Sequence, residues 1–289
     1  VLGSVLALGS ATAGGVSDFL AGSASRRIGS LQYLFATQAI GLPVAAAFVV
    51  LSGASAPSLT GAMLALGAGL ALAFGLGAFF QAMVVGTISI VAPISATGVV
   101  VPIVAGIVRG ERPSALQAIG IVGAVAGIVL VSRARADDPE SSSAPRSGSS
   151  GTEAGVWLAL VAAVGTGTFL WLMAPASRHG VAWAILLSRS SPTLACLIAL
   201  LVTRAKVAAL GQPAVAGGLA LCALLGLAAQ TMYSLATRDG QLAIVGVLGS
   251  TFPAVVVLLA YLVLGERIHR SQRLGVATLA VAVVLMSVG

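Results

Sequence analysis

Ten apolar runs of about 20 residues, separated by short polar segments, constrain this chain more than any other feature of it. They lie at roughly 2–22, 31–52, 60–82, 87–108, 115–132, 154–174, 182–203, 214–236, 243–264 and 272–288. A helix of that length crosses about 30 Å of hydrocarbon at about 1.5 Å per residue. A membrane barrel would instead need polar positions alternating with apolar ones, and none of these runs alternates. Composition agrees: 58% of the residues are apolar and 8% charged, against roughly 25% charged in a soluble domain. Eight acidic and fifteen basic side chains cannot build a polar shell around so much Leu, Val, Ala and Gly. The sequence predicts an all-α integral membrane protein with ten transmembrane helices.

Two stretches say nearly the same thing. "GERPSALQAIGIVGAVAGIVLVS" from Gly110 and "GERIHRSQRLGVATLAVAVVLMS" from Gly265 agree at eight of 23 positions, including Gln117 with Gln272, Gly120 with Gly275 and Ser132 with Ser287. Upstream, "ISATGVVVPIVAGIVRGE" lines up with "LGSTFPAVVVLLAYLVLGE". Between the copies, "RARADDPESSSAPRSGSSGTE" has almost nothing larger than Ala to bury and reads as a flexible tether. The chain therefore divides into a five-helix repeat at 1–132, a polar linker at 133–153 and a second five-helix repeat at 154–289. Five is odd, so the second copy enters the membrane from the opposite side. Inverted repeats of this kind surround a central cavity and suit alternating access. The Gly-Glu-Arg turns have a local reading: Gly110 and Gly265 stop a helix with positive φ, and Glu111 and Glu266 favour the start of the next helix through its dipole.

Two five-helix units, each with a Gly-Glu turn before its last helix, resemble the EamA-type transporters of the drug/metabolite transporter superfamily. The resemblance is carried by Leu235 to Ser287, by its weaker echo from Met83 to Ser132, and by "AGGVSDFLAGSASRR" at Ala13 to Arg27. It implies a ten-helix bundle around a cavity and secondary transport, often efflux, of a small metabolite or drug-like molecule. It does not select among amino acids, cationic drugs, sugars and nucleotide sugars. The first copy departs from the pattern, with Gly98 where the second has Pro253 and Pro102 where it has Val257.

Two charged residues fall within spans, Asp18 and Arg189, and such groups normally face a cavity or a partner. Asp18 reads either as a ligand for a cationic group or coupling proton, or as an interfacial residue paired with Arg26 or Arg27. Arg189 stands in "LLSRSSPTL", where three serines and Pro192 can leave carbonyls free and break the helix, a setting for a carboxylate or phosphate. It reads otherwise as a clamp on backbone carbonyls or Asp18, or as an interfacial arginine. Gln38 is its aligned residue in the first half. Gln81, Ser95, Trp171, Gln230, Tyr233 and Ser250 are weaker candidates for substrate contact or coupling, since such residues more often serve as interhelical hydrogen bonds. Trp171 and Tyr233 can stack on a flat or cationic substrate. Gly123 and Gly127, four apart, allow close helix packing, within the bundle or in a homodimer.

Other classes are disfavoured. Both histidines, His179 and His269, lie in connections, and no His-Glu-x-x-His or intramembrane carboxylate pair occurs, so neither a catalytic site, a metal nor a cofactor is expected. The net charge of +7 comes from scattered loop residues without interleaved aromatics, which excludes nucleic acid and leaves lipid and a small-molecule substrate as partners. Cys196 and Cys222 sit in apolar runs as small hydrophobes. The first run lacks a basic leader and a cleavage site, so it reads as a span, although the chain begins at Val1 without methionine. The remaining alternative is a non-transporting assembly or receptor subunit. Odd-numbered connections carry ten basic residues and even-numbered ones four, which places both termini outside. The resemblance implies the opposite, cytoplasmic termini in a bacterial inner membrane, and that orientation is preferred.

Overall fold

The computed structural model describes residues 2–85, 91, 94–136, 149–204, 213–264 and 270–288. Helices α1 (Leu2–Ile28), α2 (Ser30–Leu51) and α3 (Leu59–Val85) follow each other closely. A 3₁₀ turn at Thr97–Val99 leads into α4 (Val100–Val108), and α5 (Ala115–Ala136) ends the first half. The second half contains α6 (Ser149–Arg178), α7 (Val181–Thr203), α8 (Pro213–Asp239), α9 (Leu242–Gly249), α10 (Phe252–Leu264) and α11 (Arg270–Val288). No strand occurs among the described residues. Among the described residues, seven helical segments are long and apolar enough to span a membrane, and three shorter apolar ones, Ile94–Val108, Ala115–Val131 and Gln272–Met286, bring the total to the ten expected. Their outward faces are apolar: Phe74 is 71% exposed and Leu201 69%. In lipid such a surface carries no penalty, whereas unpaired backbone would, which is why the described crossings are helical.

Contacts between distant connections place the even-numbered ones at one end of the bundle. Ser58 Oγ lies 3.1 Å from His179 Nδ1, and Trp183 Nε1 donates to the carbonyl of Ala54 at 3.3 Å. The turn at Glu111 meets the start of α9, and Arg109 stacks on Trp171 at 5.8 Å. Gly110 has φ +89°, as a helix-stopping glycine should. Gly265 and Glu266 lie outside the described residues.

Small residues set the helix spacing. α5 and α11 pack antiparallel, with Gly120 against Met286, Gly127 against Leu279 and Gly275 against Val131. A Cβ on Gly127 would stand 2.7 Å from Leu279 Cγ and 2.9 Å from the Gly275 carbonyl, so the backbones approach as closely as glycine allows. The glycine spacing at 123 and 127 therefore serves contacts within the chain. α3 and α6 meet at Gly75 and Gly165, α1 and α8 at Gly14 and Ala229.

Two spans depart from the sequence expectation. The break foreseen in the seventh span is absent: α7 runs unbroken through Pro192. Ser188 and Ser190 donate to the carbonyls of Ile185 and Leu187, Thr193 to that of Arg189, and Ser191 reaches across to the Leu66 carbonyl of α3. These hydroxyls tie the helix locally and to its neighbour, so proline costs a hydrogen bond without breaking the run. The break lies in the ninth span instead, where Ser250 and Thr251 form a turn between α9 and α10. Pro253 lacks the N–H that would continue the ladder and its ring crowds the preceding turn. The 3₁₀ turn at Thr97–Val99 interrupts the fourth span at the aligned position, although Gly98 stands there in place of proline.

Candidate functional site

Arg189 is 6% exposed, and it is the only charged side chain among the buried residues described. It projects from the middle of α7 toward α2, where its Nη1 donates to Gln38 Oε1 at 3.0 Å. Gly41, one turn beyond Gln38, makes room for it: a Cβ there would fall 2.5 Å from Nη1. On the other side Nη2 faces Gly226 of α8. Beside it, Gln230 Nε2 donates to Ser188 Oγ at 2.7 Å. Gln38, Ser188, Arg189 and Gln230 thus form one polar cluster across α2, α7 and α8, near the middle of all three helices. Arg189 Nε is buried without a hydrogen-bond partner. The clamp partner foreseen from sequence, a backbone carbonyl or Asp18, is in fact the side chain of Gln38.

A second polar group adjoins it on α1. Ser17 Oγ donates to the Cys222 carbonyl at 3.1 Å, and the buried Tyr33 gathers with Ser17, Cys222 and Asp18. Asp18 itself is exposed and interacts with a neighbour. The side chains of Arg26 and Arg27, its expected partners, lie outside the described ones. Ser17 links the groups, because its hydroxyl and Arg189 Nη2 both border the space in front of Gly226.

The other sequence candidates stand apart. Ser95 and Ser250 occupy aligned positions at the breaks of the fourth and ninth spans; Ser250 Oγ donates to the Gly246 carbonyl at 2.7 Å, while Ser95 Oγ is buried without a partner. Gln81 is exposed near the end of α3. Tyr233, 3% exposed, donates its hydroxyl to the Leu170 carbonyl at 3.0 Å and packs its ring on Gly249, so it joins α6, α8 and α9. Trp171 lines an open apolar groove of about 410 Å³ with Val100, Val101, Val104, Ala105 and Val108, under the Arg109 guanidinium. Its Nε1 is buried without a hydrogen-bond partner, and it stands apart from the Arg189 cluster. Among the described residues no three of His, Cys, Asp and Glu come together as a metal-ligand set.

Glu111 corrects one reading. It does not cap the helix that follows it, whose N-terminus is closed by Ser114 and Gln117: Ser114 N donates to Gln117 Oε1 at 2.9 Å, and Gln117 N to Ser114 Oγ at 3.2 Å. Its carboxylate instead accepts from the backbone N–H groups of Leu242 at 2.6 Å and Ala243 at 2.9 Å, the first residues of α9. Gly106 lets the carboxylate fold back against α4. A carboxylate on a helix N-terminus is favourable; here the helix belongs to the other half of the chain.

Helices long and apolar enough to cross a membrane, packed around a buried polar cluster, define a multi-pass membrane protein. Residues 1–133 and 149–288 each match the EamA-like transporter family. The chain belongs to that family, and with it to the drug/metabolite transporter superfamily. Among curated proteins, none matches it. A solved structure described as "Crystal structure of protein" superposes with a TM-score of 0.74 at 15% identity, covering 99% of this chain and 96% of that one, a likeness of fold.

Proposed function

We propose that the chain is a secondary active exporter of a small metabolite or drug-like molecule in a bacterial cytoplasmic membrane. It works by alternating access of two inverted five-helix repeats, 1–132 and 154–289, tethered by 133–153. The observation that carries this reading is the reciprocity of contacts between the halves. With the repeats in the register set by Gly110 and Gly265, Gly120 corresponds to Gly275 and Val131 to Met286. The contact of Gly120 with Met286 and that of Gly275 with Val131 are then one contact seen from each copy. Gln38 and Arg189, aligned when the second span is laid on the seventh with Thr37 opposite Ser188, likewise meet each other. Self-matching pairs of this kind are expected along a two-fold axis, and an axis in the membrane plane is what alternating access uses.

In this reading Gln38, Ser188, Arg189 and Gln230 face the transported molecule, the breaks at Ser95 and Ser250 supply the hinge of each fourth span, and Asp18 couples a proton or cation. Counterflow in proteoliposomes tests it. Vesicles preloaded with each of a panel of amino acids, sugars and organic cations or anions are diluted into the labelled compound. Transient accumulation above equilibrium for at least one compound is expected. Binding of compounds without any counterflow would favour a receptor or assembly subunit.

A further inference from the structure

Among the described residues, Arg189 is a buried cation without an anion. No carboxylate among the described residues pairs with it, and its one protein acceptor is the neutral Gln38 Oε1, on Nη1. A guanidinium in the middle of a membrane bundle is costly to leave so, and such groups find a counter-charge in a partner or a ligand. Which of its donors remain matters. With Nη1 engaged, the free edge is the one formed by Nε and Nη2, whose two N–H groups point the same way and match the two oxygens of a carboxylate. Nε is buried and unpartnered. Nη2 looks toward Gly226, where the missing side chain leaves a gap: a Cβ there would meet Nη2 at 3.6 Å, Ser17 Oγ at 4.0 Å, and nothing else on neighbouring helices within 4 Å.

We propose that this gap, between Gly226, Ser17 and the Nε–Nη2 edge of Arg189, is the carboxylate subsite of the transported molecule, and that the substrates are small organic monocarboxylates. The proposal rests on the transport reading above and narrows it. Charge decides against phosphate esters: one guanidinium balances one negative charge, whereas a phosphate monoester at about −1.5 to −2 would leave a buried excess. Gln38 acts as a positioning residue, since its hold on Nη1 turns the other edge to the gap. The Ser17 hydroxyl, now on the Cys222 carbonyl, is within reach to turn toward a bound oxygen.

Three matched sets of acid, alcohol and amine test this: gluconate, sorbitol and N-methylglucamine; benzoate, benzyl alcohol and benzylamine; lactate, propane-1,2-diol and 1-aminopropan-2-ol. Each is assayed for thermal protection of the purified full chain and for counterflow. In at least one set the acid should protect and exchange while its alcohol and amine do not. Arg189→Gln should abolish that protection, and Arg189→Lys, which keeps charge but loses the fork, should raise the half-saturating concentration about tenfold or more. Because Arg189 variants can fail to fold, Gly226→Ala is the decisive companion. Its Cβ makes only ordinary contacts and favours the helix, so the protein should be as stable as the wild type or more so, while acid binding weakens about tenfold or more as the gap fills.

Protection by alcohols or amines in preference to acids, or acid protection unchanged in both Arg189→Gln and Gly226→Ala, would overturn the subsite. If such compounds still exchange, transport itself stands. If no acid protects or exchanges, the subsite is likewise refuted. If acids protect and depend on Arg189 and Gly226 but none of the nine compounds exchanges, the subsite is upheld and the transport reading fails.

Discussion

Removing the Glu111 carboxylate is the perturbation whose cost is most directly readable from the structure. Its two oxygens accept from Leu242 N at 2.6 Å and Ala243 N at 2.9 Å, and the N-cap residue of α9, Gln241, makes no side-chain cap of its own. Glu111→Ala therefore strands two N–H groups at once. Hydrogen bonds to a charged group contribute about 1.5–3 kcal/mol each, so about 3–6 kcal/mol is the ceiling for both. Leu242 and Ala243 are buried, at 3% and 0% exposed, while Glu111 is partly exposed, so water reaches the freed groups only through the space that the side chain vacates. A net loss of about 2–4 kcal/mol follows from that partial replacement. At about 2–4 °C per kcal/mol for a chain of this size, the apparent melting temperature should fall by about 4–16 °C. The assay is scanning fluorimetry in detergent at one fixed scan rate, since unfolding of such proteins is a kinetic event. Arg112→Ala, an exposed neighbour in the same turn, serves as the control and should shift it by no more than about 1 °C. Glu111→Gln, which keeps one uncharged acceptor, should fall between. A Glu111→Ala protein melting with the control would refute the cap across the halves, and with it the link between the first Gly-Glu-Arg turn and α9.

Other outcomes follow from the packing. Gly127→Ala should lower stability by about 1–3 kcal/mol through its collision with Leu279 and the Gly275 carbonyl, whereas Gly123→Ala, 3.6 Å from Ala282 Cβ, should be neutral or gain about 0.5–1 kcal/mol, both read by thermal unfolding. Tyr233→Phe should cost about 1–2 kcal/mol by removing the buried hydroxyl's bond to the Leu170 carbonyl, without altering which compounds give counterflow. Pro253→Ala restores the missing N–H and should let α9 and α10 join. The variant is expected to be more stable and to turn over about tenfold or more slowly, and unchanged turnover would remove the break from the mechanism.

What could be read before folding was what depends on neighbours in sequence. Span length and apolar content identified ten crossings because the requirement of lipid is local: each helix must satisfy its own backbone. The helix stop at Gly110 was legible for the same reason, as a conformational property of one residue. Internal repetition went further, aligning Gln38 with Arg189 and so naming a pair that proved to be in contact. Partners distant in sequence were not legible. Glu111 read as a dipole partner for the helix after it, and only the fold brings Leu242 and Ala243 to it. Pro192 suggested a break in α7 because nothing in the sequence shows that Ser191 will find the Leu66 carbonyl. Ser17 and Gly226 were overlooked among 36 glycines and many serines. Their signal is the space they leave beside a guanidinium, which exists only in three dimensions.

Access to the space in front of Gly226 is the most direct test of alternating access around a central site. In a protein with Cys196 and Cys222, both buried, replaced by alanine, Gly226→Cys places a thiol facing Arg189 Nη2 and Ser17. A membrane-impermeant methanethiosulfonate reagent is then applied to sealed right-side-out and inside-out vesicles. Alternating access predicts that the thiol reacts from both sides. Reaction from one side alone, or from neither, would contradict a central site that opens in turn to each face of the membrane.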